Sequence, residues 1–201
     1  MKLQRRTRVG LQILSICLLV ATFVIPEFEI ERATYRYVFV FDISQSMNVA
    51  DVIAGDSDTT RLDYAKRLSL ESLSKLPCGT EAGLALFTGH RAFLLATPIE
   101  ICANYKELAT MIKSVDWRMT WESRSEVAKG VYKSIKLLSQ LQSTTRLVFL
   151  TDGHEAPPIN PDNPPQFAGE AGLVRGAIIG VGGEQLVPIP KLDENGEQQG
   201  Y

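Results

Sequence analysis

One stretch constrains the fold of this chain more than any other, an apolar run that ends in an acid. Residues 35–41 are aromatic or β-branched apart from Arg36, which is typical of a buried strand, and Asp42 follows directly. Ser44 and Ser46 follow at alternate positions. A carboxylate and two hydroxyls therefore share one turn at the carboxyl end of a strand, where open α/β sheets bind ligands. Taken alone, the same residues also fit an ordinary Asp/Ser turn.

The pattern along the rest of the chain predicts strands alternating with helices. Thr60, with Asp63 three residues later, predicts a capped helix start after a polar loop at 48–60. The apolar segments 82–87 and 92–96 predict a hairpin. The other predicted elements are a helix capped by Asn104 and Glu107, a helix over about 125–141, and strands at 146–150 and 173–181.

The fold class follows from the character of the strands. Several of them are continuously apolar instead of alternating, so we expect a sheet that is covered on both faces. The sequence predicts an α/β fold, a doubly wound, mostly parallel sheet with one antiparallel strand.

The N-terminal residues differ from this pattern. Four basic side chains come before an apolar run at 9–25, namely Lys2, Arg5, Arg6 and Arg8. Extended to residue 28, the run approaches the ~20 residues of a spanning helix, and a small-x-small cleavage site is missing. We therefore expect an uncleaved signal anchor at 9–28 rather than a cleaved signal peptide, with the basic segment 1–8 in the cytoplasm.

This organisation predicts where the rest of the chain lies. Residues 29–34 would form a linker, 35–187 the folded domain and 188–201 a polar tail, all on the periplasmic side of the inner membrane. The formal net charge is −2 and no long basic stripe is present, which disfavours a nucleic-acid partner.

Two later segments complete a candidate metal site with the first turn. Asp152 follows the predicted strand 146–150, so it lies at the same sheet edge as Asp42. Ser125 begins a predicted helix, and either it or its rival Ser123 could supply a further hydroxyl. Hard oxygen ligands of this kind suit a divalent cation, Mg²⁺ above all, although Mn²⁺ and Ca²⁺ use the same ligand types.

The joint pattern resembles the von Willebrand factor A domain and its metal-ion-dependent adhesion site. Asp42-x-Ser44-x-Ser46 is similar to the first metal-ligand loop of that family, and the segment 125–131 is similar to its Thr-x-Ile-Gly-x-Ala-Leu segment, with Ser125 in place of the threonine. The resemblance implies that Asp42, Ser44, Ser46, Ser125 and Asp152 hold the cation. One open coordination position would then accept an Asp or Glu carboxylate of a protein client.

Further segments resemble narrower groups within that family. Ser46-Met47, Asp51 and Arg61-Leu62 are similar to membrane-anchored bacterial A-domain proteins of the aerotolerance type. The segments 35–43, 116–119, 124–130, 150–158 and 188–194 are similar to the L-type accessory proteins of bacterial methanol-oxidation (Mxa) clusters. That second resemblance implies a role in the maturation of methanol dehydrogenase, including calcium insertion, with other accessory proteins and a MoxR-type ATPase as partners.

The three cysteines fall into two groups. Cys17 lies in the apolar run, where it would only pack. Cys78 precedes the predicted hairpin and Cys102 follows it, so both lie at the end of the hairpin opposite the metal site. A disulfide between them is one interpretation, and two buried free thiols are the other.

The remaining polar and aromatic candidates have weaker patterns. His154 would lie on the rim of the site, and Trp117 and Trp121 flank the Ser125 loop, either as partner contacts or as cover for the sheet edge. His90 is expected to be an exposed turn residue. Asp51, Asp56 and Asp58 fit a solvated acidic loop better than a second cation site.

An enzymatic function is disfavoured by the motifs. The chain has no His-Glu-x-x-His and no Gly-x-Ser-x-Gly, and Ser44 stands where haloacid-dehalogenase-like phosphatases need a second aspartate. We therefore expect a binding module, with a metal-dependent phosphohydrolase as the less favoured alternative.

Overall fold

A computed structural model describes residues 2–24, 33–53, 58–122, 124–141, 144–167, 169–170, 172–193 and 195–201. The chain divides into two compact units, Met1–Ala33 and Thr34–Tyr201. The helices are α1 Lys2–Val24, α2 Arg61–Lys75, α3 Tyr105–Ser114 and α4 Val127–Ser139. The strands are β1 Arg36–Asp42, β2 Ala50–Ile53, β3 Asp58–Thr60, β4 Glu81–Thr88, β5 Arg91–Glu100, β6 Thr145–Thr151, β7 Gly176–Gly180, β8 Lys191–Leu192 and β9 Gln198–Gly200.

In the described part of the first unit, residues 2–24 form the helix α1. Its large apolar side chains from Leu11 to Phe23 are exposed, by 57% to 87% of their surface. The predicted signal anchor at 9–28 overlaps this helix, but residues 25–28 lie outside the described residues. Among the residues that the structure describes, no helix has the length and apolar character needed to cross a membrane, so the predicted span is not confirmed.

The second unit is built on a five-stranded sheet with the order β5-β4-β1-β6-β7. β1 is parallel to both β4 and β6, and β6 is parallel to β7. Only β5 runs antiparallel within this sheet, as the second strand of the hairpin that it forms with β4. The predicted α/β sheet, mostly parallel with one antiparallel strand, is therefore confirmed.

β1 is buried on both faces because it is the central strand. Phe39 and Phe41 belong to the apolar cluster that includes α2 and α3, whereas Val38 and Val40 belong to the cluster that includes α4. Successive side chains of a strand point to opposite faces, so a continuously apolar strand needs helices on both sides. The carboxyl end of β1 thus opens between two helical layers.

Capping and loop chemistry agree with the sequence at one position and differ at two others. The Asp63 amide donates to Thr60 Oγ1 at 3.0 Å, so the predicted cap of α2 is confirmed. The Asn104 side chain does not cap α3 and donates instead to the Glu100 carbonyl, so that predicted cap is wrong. The predicted loop at 48–60 contains the hairpin β2–β3, and residues 54–57, which include Asp56, lie outside the described residues.

Cys78 and Cys102 form a disulfide, with their Cα atoms 5.3 Å apart. They lie where β4 begins and after β5 ends, at the edge of the sheet opposite Asp42. Both cysteines are exposed, so the alternative of two buried thiols is wrong. In the chain-entropy model a loop of this length contributes on the order of 3 kcal/mol.

Gly130 allows α4 to approach the sheet closely. A Cβ at this position would lie 2.2 Å from Cε2 of Phe87, whose ring is fully buried and packs against Phe149 at a centroid distance of 5.4 Å. The ring has no free space into which it could move, because cores are close-packed. Residue 130 must therefore be glycine for α4 to pack this closely against Phe87.

We expect Gly130→Ala to lower the free energy of unfolding by about 1–3 kcal/mol, because the added methyl group overpacks the Phe87 ring. Urea unfolding followed by circular dichroism measures the loss. Lys136→Ala on the same helix is the matched control and should change stability little. Equal stability of the glycine and alanine proteins would contradict the close packing.

Candidate metal centre

Asp42 ends β1 with both carboxylate oxygens occupied. Its side chain is fully buried; Oδ1 accepts a hydrogen bond from the Ser44 amide at 2.9 Å and Oδ2 accepts one from Thr151 Oγ1 at 2.6 Å. Thr151 ends the neighbouring strand β6, so the parallel pairing of β1 and β6 brings this hydroxyl to the acid. The orientation of the carboxylate is fixed by these two bonds.

Burial raises the pKa of Asp42 to about 6. The hydrogen bonds from Ser44 and Thr151 work in the opposite direction, and the nearby charge of Asp152 adds to the rise. The ionised form of Asp42 is therefore costly in the bare protein near neutral pH. A cation bound beside it would offset that cost.

Ser44 and Ser46 lie on the turn that follows β1. A short 3₁₀ helix, Gln45–Asn48, holds them, and their Oγ atoms are 3.2 Å apart. Their exposed fractions are only 1% and 2%. Two adjacent buried hydroxyls thus face each other beside the buried acid.

Ser125 is held in place by backbone bonds on both sides. Its amide donates to the Ala156 carbonyl at 2.9 Å, and the Ala156 amide donates back at 2.7 Å. The next amide, of Glu126, donates to the Gly89 carbonyl at 2.6 Å. Three loops therefore meet at Ser125.

The Ser125 hydroxyl has no hydrogen-bond partner among the described residues, although the residue is only 2% exposed. Buried polar groups are nearly always paired, and an orphaned one needs an explanation such as an absent ion or water. Its rival Ser123 lies outside the described residues.

Asp152 follows β6 and is held by an arginine that the sequence analysis gave no role. Its Oδ1 accepts from the His154 amide at 3.0 Å, and its Oδ2 accepts from Arg61 Nη1 at 2.7 Å. Arg61 also donates through Nε to Asp51 Oδ1 at 2.9 Å, and this contact lowers the pKa of Asp51. Asp51 therefore belongs to a buried ion network and not to a solvated loop, which corrects that expectation.

A second unforeseen acid, Glu155, supports the helix that Ser125 precedes. Its Oε2 accepts from the Ala128 amide at 2.9 Å, in the first turn of α4. Carboxylates at this end of a helix satisfy free amides and complement the helix dipole. The contact between Glu155 and Ala128 joins residues far apart in the chain and leaves no local pattern. The only signal in the sequence was that Glu155 lies close to Asp152.

Ser44, Ser46 and Ser125 line one cavity of about 420 Å³. His154, predicted as a rim residue, lies on it as well. The C-terminal segment, predicted as a polar tail from residue 188, lines the same cavity. That segment contributes Val187, Pro188, Ile189, Lys191 and Tyr201.

The two tryptophans do not line this cavity. Trp121 is 61% exposed and its ring lies against Phe93 at a centroid distance of 5.2 Å. Trp117 is half-buried against the main core, with the Arg118 guanidinium over its ring. Of the two readings for this pair, Trp117 covers the core, whereas Trp121 remains exposed as a candidate partner contact.

The donor set fits a divalent cation. Three buried hydroxyls and two buried carboxylates meet at one sheet edge, and one hydroxyl is left without a partner. All are hard oxygen ligands, which suit Mg²⁺, Mn²⁺ and Ca²⁺. Ser44, Ser46 and Ser125 would hold the ion directly, with Asp42 and Asp152 supplying its counter-charge.

Comparison with known proteins agrees with this architecture. The family model described as "von Willebrand factor type A domain" matches residues 37–154. The chain belongs to this family. The match runs from β1 to His154 and so includes every residue of the candidate site.

Relatives of this A domain are more distant. It is 26% identical over 136 residues to the UPF0353 proteins of Mycobacterium sp. (strain KMS) and Mycolicibacterium gilvum (strain PYR-GCK). That region is 63% of this chain, and the chain spans 37% of the length of those relatives. The crystal structure of an aerotolerance-related membrane protein from Bacteroides fragilis has the same fold, with a TM-score of 0.56 and 20% identity. The likeness covers 82% of this chain and 79% of that one.

We expect Asp42→Asn to be more stable than the wild-type A domain at pH 7.5 in EDTA. The folded state binds the Asp42 proton more tightly than the unfolded state does, so the contribution of Asp42 to stability falls as pH rises from about 4 to above 6. At pH values above this range the gain in the free energy of unfolding should approach about 3 kcal/mol, which is the free energy that corresponds to a rise of the pKa from 3.8 to about 6. At pH values below this range the gain should vanish. Urea unfolding at a series of pH values measures it.

The exposed Asp58 offers the matched control. Asp58→Asn should show no such pH-dependent gain. If Asp42→Asn were equally destabilised at every pH, the charge of Asp42 would not be the costly group.

Ser125→Ala should separate a ligand role from a structural one. Removing a buried hydroxyl that lacks a partner should leave stability in EDTA unchanged or raise it by up to about 1 kcal/mol. The same change should weaken Mg²⁺ binding by about tenfold or more, since a ligand is lost. Isothermal titration calorimetry measures the affinity.

Ser134→Ala is the control, because Ser134 is also buried and donates to the Gly130 carbonyl at 2.8 Å. It should lower stability by about 1 kcal/mol and leave Mg²⁺ affinity unchanged. Undiminished Mg²⁺ affinity in Ser125→Ala would remove Ser125 from the ligand set.

Proposed function

We propose that this A domain is a metal-dependent protein-binding module that assists the assembly or maintenance of envelope proteins. The observation that carries the proposal is the Ser125 hydroxyl, buried and unpartnered on the same cavity wall as Ser44 and Ser46. Few carboxylates would contact the ion directly, so it would remain electrophilic. One coordination position would be left for an Asp or Glu of a client.

A non-enzymatic role suits the chemistry of this site. The cavity wall contributes three hydroxyls and His154, while the two acids are held by Thr151 and Arg61 instead of facing the cavity. For either acid to act in general acid–base chemistry, its carboxylate would have to lie within hydrogen-bond reach of a substrate. The arrangement is suited to holding a ligand.

We propose that α1 attaches the module to the inner membrane, with the A domain in the periplasm. Apolar side chains along α1 are exposed and four basic residues precede them, which is typical of a segment that enters lipid from the cytoplasmic side. A disulfide in the A domain suits an oxidising compartment.

For the client, an aerotolerance-type complex with a MoxR-type ATPase is our first candidate. A solved structure with this fold is described as an aerotolerance-related membrane protein. Asp51 and Arg61 lie in the segments that resemble that group; Asp51 binds Arg61, and Arg61 holds Asp152 in place. Methanol dehydrogenase maturation is the second candidate, favoured by the resemblance of segments such as 150–158 and 188–194 to the L-type accessory proteins.

Affinity capture from the native envelope tests the function. We expect the tagged full chain to retain a client in Mg²⁺ and to release it in EDTA, because the client carboxylate would bind through the ion. Ser125→Ala should lose the same client and Ser134→Ala should keep it. Mass spectrometry of the client separates the candidates: methanol dehydrogenase subunits favour the second, and a MoxR-type ATPase without them favours the first.

Capture of the same proteins in EDTA and in Mg²⁺, or by Ser125→Ala and wild type alike, would overturn the proposal. Turnover of generic phosphoesters that depends on Mg²⁺ or Mn²⁺ would favour a phosphohydrolase instead.

A further inference from the structure

The cavity in front of the candidate metal ligands has two chemically different walls. The inner wall is formed by Ser44, Ser46 and Ser125. The outer wall carries apolar side chains and one cation, namely those of Val187, Ile189, Tyr201 and Lys191. A site for the metal ion alone would need only the inner wall.

The outer wall is a folded part of the A domain. β8 pairs with β9 in an antiparallel hairpin, and the Gln45 side chain donates to the Pro190 carbonyl at 3.0 Å. Gln45 lies between the two serine ligands, so this bond joins the outer wall directly to the metal-ligand turn. A second bond, from Arg118 Nη2 to the Asn195 carbonyl at 3.0 Å, holds the other end of the hairpin.

Two polar groups at the cavity are free to bind a ligand. The Ser125 hydroxyl is buried without a partner among the described residues. Lys191 forms no ion pair with any carboxylate in the part of the chain that the structure describes. Both groups are complementary to an anion, which is the charge that a bound cation would also attract.

The size of the cavity argues against a lone carboxylate as its occupant. A volume of about 420 Å³ lies in the range of sites that hold a drug-sized ligand. Val187 and Tyr201 are 41% and 65% exposed, so they leave apolar surface that a ligand could cover. The charge and the apolar area lie side by side in one cavity.

We propose that this cavity binds an acidic side chain of a partner protein together with the apolar side chain that follows it in the partner's sequence. The carboxylate lies toward the three hydroxyls and Lys191, and the apolar neighbour packs against Val187, Ile189 and Tyr201. This inference rests on the proposed function, because the carboxylate is taken to bind through the cation.

Short peptides test the specificity. The probes are acetylated and amidated Gly-Glu-Leu-Gly, Gly-Glu-Ser-Gly and Gly-Gln-Leu-Gly, titrated by NMR into the full chain in mild detergent with saturating Mg²⁺. The Glu-Leu peptide should bind about fivefold more tightly than the Glu-Ser peptide, because the leucine buries apolar area. The Gln-Leu peptide should bind far more weakly than either, since it lacks the carboxylate.

Matched variants locate the apolar subsite. Val187→Ser combined with Tyr201→Ser should remove the preference for Glu-Leu over Glu-Ser. Leu186→Ser is the control, because Leu186 is fully exposed and does not line the cavity, and it should keep the preference. Lys191→Gln should weaken both Glu peptides by about threefold, and Lys136→Gln, on α4, should not.

The outcomes distinguish the two proposals. Metal-dependent binding of Glu-Leu and Glu-Ser with equal affinity overturns the apolar subsite and leaves the proposed function standing. Equal binding of Glu-Leu and Gln-Leu, or undiminished binding in EDTA, overturns both. If the peptides bind only after the segment from residue 187 onward is displaced, the outer wall is a lid and the apolar subsite is overturned. The absence of binding by all three peptides also overturns the subsite.

Discussion

A carboxylate without solvent contact, that of Asp42, lies at the end of the central strand, and the surrounding structure compensates for it. An isolated buried charge is strongly unfavourable unless it is paired or hydrogen-bonded. The Ser44 amide and the Thr151 hydroxyl provide two bonds, yet the pKa of Asp42 remains raised to about 6. A cation bound beside Asp42 would complete the compensation, and the hydroxyls around this sheet edge could turn their oxygens toward it.

Local patterns in the sequence predicted the elements that carry the site. An apolar strand followed by Asp42, Ser44 and Ser46 is a local pattern, and so is the strand before Asp152; parallel pairing of β1 and β6 then brings their ends together. Ser125 was chosen because the segment that it begins resembles the Thr-x-Ile-Gly-x-Ala-Leu segment of the family. In the structure Ser125 lines the same cavity as Ser44 and Ser46, while metal binding itself stays a prediction.

The features that the sequence did not predict are contacts between distant segments. Arg61 holds Asp152 across 91 positions, and Gln45 contacts the Pro190 carbonyl across 145. Neither contact leaves a periodic or spacing signal, because each depends on how the loops close in space. The C-terminal segment is short of core residues, so its polarity predicted a tail, whereas its pairing as β8–β9 makes it a wall of the cavity.

The position of the disulfide bears on the order in which the A domain is oxidised and binds a cation. It closes the start of the β4–β5 hairpin, while the candidate metal ligands lie at the other end of the sheet, on the order of 20 Å away along strands of seven residues. Disulfide formation and cation binding involve different residues at opposite ends of the sheet, so either can occur first. The disulfide can therefore form before any cation binds, and loss of a bound cation would leave the disulfide intact.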